Sequence, residues 1–145
     1  GQGGSMILAQ EAAHLFATAL PNFFPVVDSH IQAMLTAQLT RRDVVLYFSY
    51  SGSTKELLDN LKIARERGAG VILITRFPKS PGAAYADVVL QCGSHEGPFQ
   101  GGSVAARIAQ LYVVDVLFSE LCRRDLEGCR ERRELVAEVL SDKHI

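Results

Sequence analysis

The sequence predicts an α/β fold, a three-layer α/β/α sandwich around a mainly parallel, flavodoxin- or Rossmann-like sheet. Three observations carry this prediction. Residues 43–49, 71–75 and 87–91 are continuous apolar bursts rich in β-branched side chains, as expected of strands buried on both faces. Amphipathic stretches alternate with them across short connections. With 145 residues, 48% hydrophobic and 21% charged, the chain has the composition of one globular core rather than two cores or a disordered segment.

Taken in order, residues 5–20 read as a helix: Ser5 can cap it, and Ile7, Leu8, Ala12, Leu15, Phe16 and Ala19 recur at helical spacing. Pro21 stops it. The apolar run 23–27 reads as a strand, which the interior Pro25 confines to a sheet edge. Asp28 or Ser29 then caps a second helix through about Leu39. Residues 43–49 (D-V-V-L-Y-F-S) form the clearest strand, followed by a turn at 50–53. Ser53 opens a helix that places Leu57, Leu58, Leu61 and Ala64 on one face and ends at Gly68 and Gly70. Residues 71–75 and 87–91 are buried strands separated by a loop containing Pro78 and Pro81. A polar, glycine-rich loop at 92–102 leads into a long helix from Ser103 to about Arg123, apolar on almost every side and so suited to burial between the sheet and a partner subunit. Residues 125–140 are a charged amphipathic helix, where Arg130, Arg132 and Arg133 are balanced by Glu127, Glu131 and Glu134 and read as a solvated face.

Charge and composition exclude several classes. Fifteen Lys+Arg against sixteen Asp+Glu leave a formal charge of −1, whereas a segment that neutralises DNA phosphates by itself carries a basic excess. No apolar run approaches the ~18–20 residues of a membrane span, and the first residues lack the basic-then-apolar pattern of a signal peptide. Cys92, Cys122 and Cys129 are odd in number and form no C-x-x-C, which suits a reducing cytoplasm better than a disulfide framework or a zinc site. No metal site and no cofactor are expected.

In a parallel α/β sheet, ligands bind beyond the carboxyl ends of the strands. One such end reads Ser49-Tyr50-Ser51-Gly52-Ser53-Thr54: four aliphatic hydroxyls in six residues, beside a glycine that lets a ligand approach the backbone, running straight into a helix. Hydroxyls plus the free N–H groups and partial positive charge of a helix start suit a phosphate. Each donor to a charged group contributes about 1.5–3 kcal/mol, so three or four suffice for micromolar binding after association costs. The bland reading of the same residues is a polar turn with a helix cap. Gly1-Gln2-Gly3-Gly4-Ser5 fails as a dinucleotide fingerprint because Met6 stands where the last glycine is needed, and no G-x-x-x-x-G-K-[ST] occurs. His95-Glu96 has the composition of an acid/base pair, although adjacent side chains usually point apart. His14 reads as a surface or packing residue, and His30 lies near a helix start. Arg107 and Asp115 interrupt the long apolar helix and read as a buried or interfacial ion pair more readily than as ligand contacts.

Together these segments resemble a sugar isomerase (SIS) domain, more narrowly the effector domain of RpiR-type transcriptional regulators. The resemblance is carried by Gly1-Gln2-Gly3-Gly4-Ser5, Asp28-Ser29-His30, Ser49-Tyr50-Ser51-Gly52-Ser53-Thr54-Lys55-Glu56, Ile74-Thr75 with Ser80-Pro81, Ala86-Asp87-Val88-Val89-Leu90, Glu96-Gly97-Pro98-Phe99 and the helix from Ser103 to Gln110. It implies an SIS domain over residues 1–123, with 124–145 as a helical extension. It also implies a phosphosugar held by Ser49, Ser51 and Thr54 with the amides of Tyr50 and Ser53, while Ser5 and Glu96 meet the sugar. By the same resemblance the family's first strand and any helix-turn-helix domain would precede Gly1, DNA is reached only through that upstream domain, and the domain is a homodimer or homotetramer. The alternative it leaves is an aldose–ketose phosphate isomerase using Glu96 as base. The His-Pro-Gly-Gly segment of arabinose-5-phosphate isomerases has no counterpart in 122–140, which argues against turnover.

Overall fold

The structure, a computed structural model, describes residues 1–93 and 104–141. Its sheet has three parallel strands, β1 (Val44–Phe48), β2 (Gly70–Thr75) and β3 (Val88–Gln91), in the order β1-β2-β3. Val44 pairs with Gly70, Phe48 with Ile74, Ile72 with Val88 and Thr75 with Gln91, so all strands end at one edge. Period-two alternation divides the side chains between two cores. Leu46, Phe48, Ile74 and Leu90 meet α1 (Gly4–Ala17) and α4 (Val104–Arg124), where Leu8, Phe16, Val114 and Phe118 are buried. Tyr47, Val71 and Leu73 meet α3 (Lys55–Arg67) through Leu57, Leu61 and Ala64. α2 (Ser29–Thr36) packs beside α3, and α5 (Leu126–Ser141) folds back from α4. The three-layer α/β/α architecture follows from these two covered faces.

Residues 23–27 are not a strand. They pair with no strand among the described residues, and the physical reason lies in the side chains: Phe23 stacks on Phe16 of α1 with ring centroids 4.3 Å apart, and Pro25 offers no N–H to a neighbouring strand. The Val26 carbonyl accepts instead from Gln32 Nε2 at 2.7 Å.

Ser5 does not cap α1. Gly3 is the N-cap, with φ 54°, and Ser5 lies inside the first turn, its N–H donating to the Gln2 carbonyl at 3.0 Å. α1 also ends before residue 20, since the Thr18 hydroxyl turns back to the Leu15 carbonyl at 2.8 Å and Asn22 takes a left-handed φ of 66°. α2 stops at Thr36, whose hydroxyl bonds the Gln32 carbonyl at 2.6 Å, before the chain tightens into turns at Gln38 and Leu39. Asp28 is its cap, accepting from the Ile31 N–H at 2.9 Å. Thr54, rather than Ser53, is the N-cap of α3, and Gly68 closes that helix at φ 79°, as the sequence predicts. The loop between β2 and β3 contains a 3-10 turn, Pro81–Tyr85, that the sequence reading leaves as irregular.

Candidate functional site

The sheet's carboxyl edge is formed by the turn between β1 and α3. The Ser49 N–H extends the ladder by one bond to the Ile74 carbonyl at 3.0 Å, after which the chain leaves the sheet. Three attachments then fix the turn. The Ser49 hydroxyl accepts from the Gly52 N–H at 3.1 Å, closing the turn from inside. The Tyr50 carbonyl accepts from Thr75 Oγ1 at 3.2 Å and from the Arg76 N–H at 3.1 Å, tying it to the end of β2. The Gly52 carbonyl accepts from the Gly82 N–H at 2.8 Å, tying it to the 3-10 turn.

Gly52 is required for two reasons. Its φ of 62° is left-handed, and a Cβ there would lie 2.1 Å from Ser80 Oγ. Ser80 is buried, and among the described residues its hydroxyl oxygen has no hydrogen-bond partner. It packs against the glycine as a wall of the turn.

Ser51, Ser53 and Thr54 are exposed, whereas Ser49 and Gly52 are buried beneath them. Ser51 Oγ accepts from the Ser53 N–H at 3.3 Å, which leaves its proton available to a ligand. Thr54 makes no side-chain cap bond to the α3 amides, so among the described residues both its hydroxyl and the helix N–H groups remain for an incoming acceptor. α2, begun by a capping Asp28, shows the contrast: there the carboxylate occupies the amides that α3 leaves free. Ser5 reaches the same edge. α1 begins against the end of β1, so closely that a Cβ on Gly1 would lie 2.9 Å from the Phe48 carbonyl oxygen and 2.8 Å from the Ser5 carbonyl oxygen. The structure therefore brings Ser49, Tyr50, Ser51, Ser53 and Thr54 into one turn and places Ser5 in the adjoining helix start. Glu96, and His95 beside it, lie outside the described residues.

Behind this edge is a polar network that the sequence reading misses. Gln32, 6% exposed on α2, accepts at Oε1 from Gln2 Nε2 (2.9 Å), the Tyr47 hydroxyl (3.3 Å) and Asn60 Nδ2 (3.4 Å). Its Nε2 donates to the Val26 carbonyl and to the Gly1 carbonyl at 3.3 Å. One amide thus joins the loop before α1 to α2, β1 and α3, and burial pushes the Tyr47 hydroxyl above its ordinary pKa. The available signal was Gln32 and Thr36 one turn apart on the inward face of α2, polar where a helix normally presents apolar side chains.

His14 is exposed, 3.9 Å from Glu11, and His30 is exposed at the start of α2. Arg130 meets Glu127 and Glu134 at 3.5 and 3.6 Å on the solvated face of α5. Arg132 departs from that reading, because it pairs with Asp125 at 2.7 Å and also donates to the Ala19 carbonyl beyond α1. Among the described residues, no three His, Cys, Asp or Glu side chains gather as a metal site, and no helix is long and apolar enough to cross a membrane.

The parallel sheet thus ends, at its carboxyl edge, in exposed hydroxyls and in a helix start without a side-chain cap, the place where α/β domains bind their ligands. The sequence matches the SIS domain family over residues 1–120, and the chain belongs to that family. An uncharacterised HTH-type transcriptional regulator of Caldanaerobacter subterraneus subsp. tengcongensis is 34% identical over 145 residues, which is 100% of this chain and 51% of that protein. The HTH-type transcriptional regulator RpiR of Escherichia coli is 32% identical over 127 residues, 88% of this chain and 43% of that protein. The chain therefore spans about half the length of the curated relatives it matches. Among solved structures, the Vibrio vulnificus NanR protein complexed with ManNAc-6P superimposes with a TM-score of 0.89 at 27% identity, covering 100% of this chain and 55% of that one.

Proposed function

We propose that this chain is the phosphosugar-sensing effector domain of an RpiR-type transcriptional regulator, working in the cytoplasm as a homodimer or homotetramer. The observation that carries the reading is the turn of residues 49–54, in which Ser51, Ser53 and Thr54 are exposed and the α3 start has no side-chain cap. Ser49, Ser51 and Thr54, with the amides of Tyr50 and Ser53, hold the phosphate; Ser5 and Glu96 meet the sugar. The complex of NanR with ManNAc-6P supports this choice of ligand class, and the regulators among the relatives support the output. The ligand shifts the population between two arrangements of the subunits, which changes the spacing of helix-turn-helix domains carried elsewhere in the regulator and so the affinity for DNA. Residues 124–145 are assigned to a C-terminal extension of the sensing domain, of which α5 is the described part.

In this reading the domain performs no chemistry on the sugar. The experiment is a panel of sugar 5- and 6-phosphates, scored by thermal shift and by proton exchange at C2 in deuterated water. Stabilisation without exchange is expected. Exchange at C2 that disappears in Glu96→Gln would replace the sensor with an aldose–ketose isomerase, and no stabilisation by any phosphosugar would leave only a subunit-contact module.

A further inference from the structure

Beside the hydroxyls of the turn stands one large apolar side chain. Phe77 follows the end of β2 and is 51% exposed, and Pro78 and Lys79 after it are exposed as well. The Phe77 backbone is fixed at both ends: its N–H donates to Thr75 Oγ1 at 3.3 Å, and its carbonyl accepts from the Ser80 N–H at 3.0 Å. The exposure of the ring is therefore set by the fold and not by a loose loop.

Two neighbours brace the ring itself. Tyr50, half-buried inside the hydroxyl turn, meets Phe77 edge to face, with ring centroids 6.0 Å apart and planes at 86°. The Arg76 guanidinium lies over the Phe77 ring, 5.8 Å from its centroid. The Arg76 stem in turn runs against the chain leaving β3, since a Cβ on Gly93 would lie 2.6 Å from Arg76 Cδ. Tyr50, Phe77 and Gly93 follow the ends of the three adjacent strands, so the ring is held across the carboxyl edge of the sheet. A single exposed apolar residue on an ordinary surface needs no explanation. This one is fixed, and it touches the turn at the edge where parallel α/β sheets bind their ligands. Small-molecule sites combine a few placed polar groups with apolar and aromatic walls, and the turn by itself supplies only the first.

We propose that Phe77, braced by Tyr50, is the specificity-determining residue of the sugar site, and that it selects phosphosugars carrying an acylamino group over those with a hydroxyl at the same carbon. The inference rests on the reading that residues 49–54 hold a phosphate, and it adds what the rest of the ligand meets. A hydroxyl set against the face of an aromatic ring gives up water without gaining a hydrogen bond. An acylamino group lays a flat amide and a methyl group on the ring and keeps its N–H and C=O at the edge, free for other partners. Both groups are uncharged, so Arg76, Lys79 and the other charged side chains of the edge do not decide between them by charge.

The test compares the 6-phosphates of N-acetylglucosamine, N-acetylmannosamine and N-acetylgalactosamine, each against the 6-phosphate of its parent hexose. Calorimetric titration is run on the unsubstituted chain, Phe77→Ala and Phe77→Leu, with inorganic phosphate as a further ligand. In the pair that binds best, the unsubstituted chain is expected to hold the acetylated compound about tenfold more tightly than its hydroxyl counterpart. Phe77→Ala should lose that preference and Phe77→Leu should keep part of it, while inorganic phosphate binds all three proteins alike. Equal affinity within every pair, a preference for the hydroxyl compound, or a preference that survives Phe77→Ala would each overturn the inference and leave the phosphate turn standing. A Phe77→Ala protein that loses inorganic phosphate along with the preference would show the ring acting on the turn instead of on the sugar, which also overturns it. Binding of none of these phosphosugars by the unsubstituted chain would remove the sensor reading itself.

Discussion

Gly52→Ala is the sharpest perturbation of the site, because the structure shows what the added methyl meets. At φ 62° the new side chain incurs left-handed strain of about 1–2 kcal/mol. Its Cβ also falls 2.1 Å from Ser80 Oγ and 2.6 Å from Ser80 Cβ, so Ser80 must move, and overpacking of this kind costs about 1–3 kcal/mol. The variant should therefore lose about 2–5 kcal/mol, or roughly 10 °C in melting temperature for a domain of this size. Adding Ser80→Gly removes both close contacts and leaves only the strain, with Thr75 Oγ1 still 3.1 Å away. Gly52→Ala/Ser80→Gly should accordingly recover the packing part but not the whole. Thermal and urea denaturation of the three proteins, followed by far-UV circular dichroism, measure this directly. A Gly52→Ala protein that melts within about 2 °C of the unsubstituted one, or a double variant less stable than the single, would refute the packing argument.

Other consequences follow from the same geometry. Ser51→Ala and Thr54→Ala remove exposed donors, and calorimetric titration with a sugar phosphate should show each losing about 1.5–3 kcal/mol of affinity at nearly unchanged stability. Gln32→Leu removes the buried acceptor that the Tyr47 hydroxyl and the Asn60 amide share, and urea denaturation should register a loss of about 1–3 kcal/mol. On α4, hydrogen bonds from Arg123 and Arg124 hold the Glu120 carboxyl at about 2, below its ordinary 4.5. A carboxylate depressed on folding adds stability above its unfolded pKa, and that contribution fades as pH falls from 4.5 towards 2. Glu120→Gln should flatten the acid limb of the stability profile over that window, and salt should do the same because the groups are exposed.

The fold was legible where one physical signal dominated. The three strands are continuous apolar runs, and the C-cap of α3 needs a residue that tolerates φ 79°, which Gly68 announces. Residues 23–27 misled because apolar, extended sequence is shared by strands and by segments that lean on a helix; only the Phe16–Phe23 stack decides between them. The hydroxyl-rich turn was legible because its residues are consecutive. Gln32 was not, since its partners Gln2, Tyr47 and Asn60 come from three separate elements and converge only in the folded chain. Ser80 was visible in the sequence as part of a family pattern, but its packing against Gly52 depends on the 3-10 turn that follows it.

The most direct measurement is a crystal structure of the chain with a bound sugar 6-phosphate. The account predicts the phosphate oxygens at about 2.7–3.1 Å from the hydroxyls of Ser51 and Thr54 and from amides at the start of α3. A phosphate group found at any other edge or face of the sheet, with residues 49–54 untouched, would contradict it.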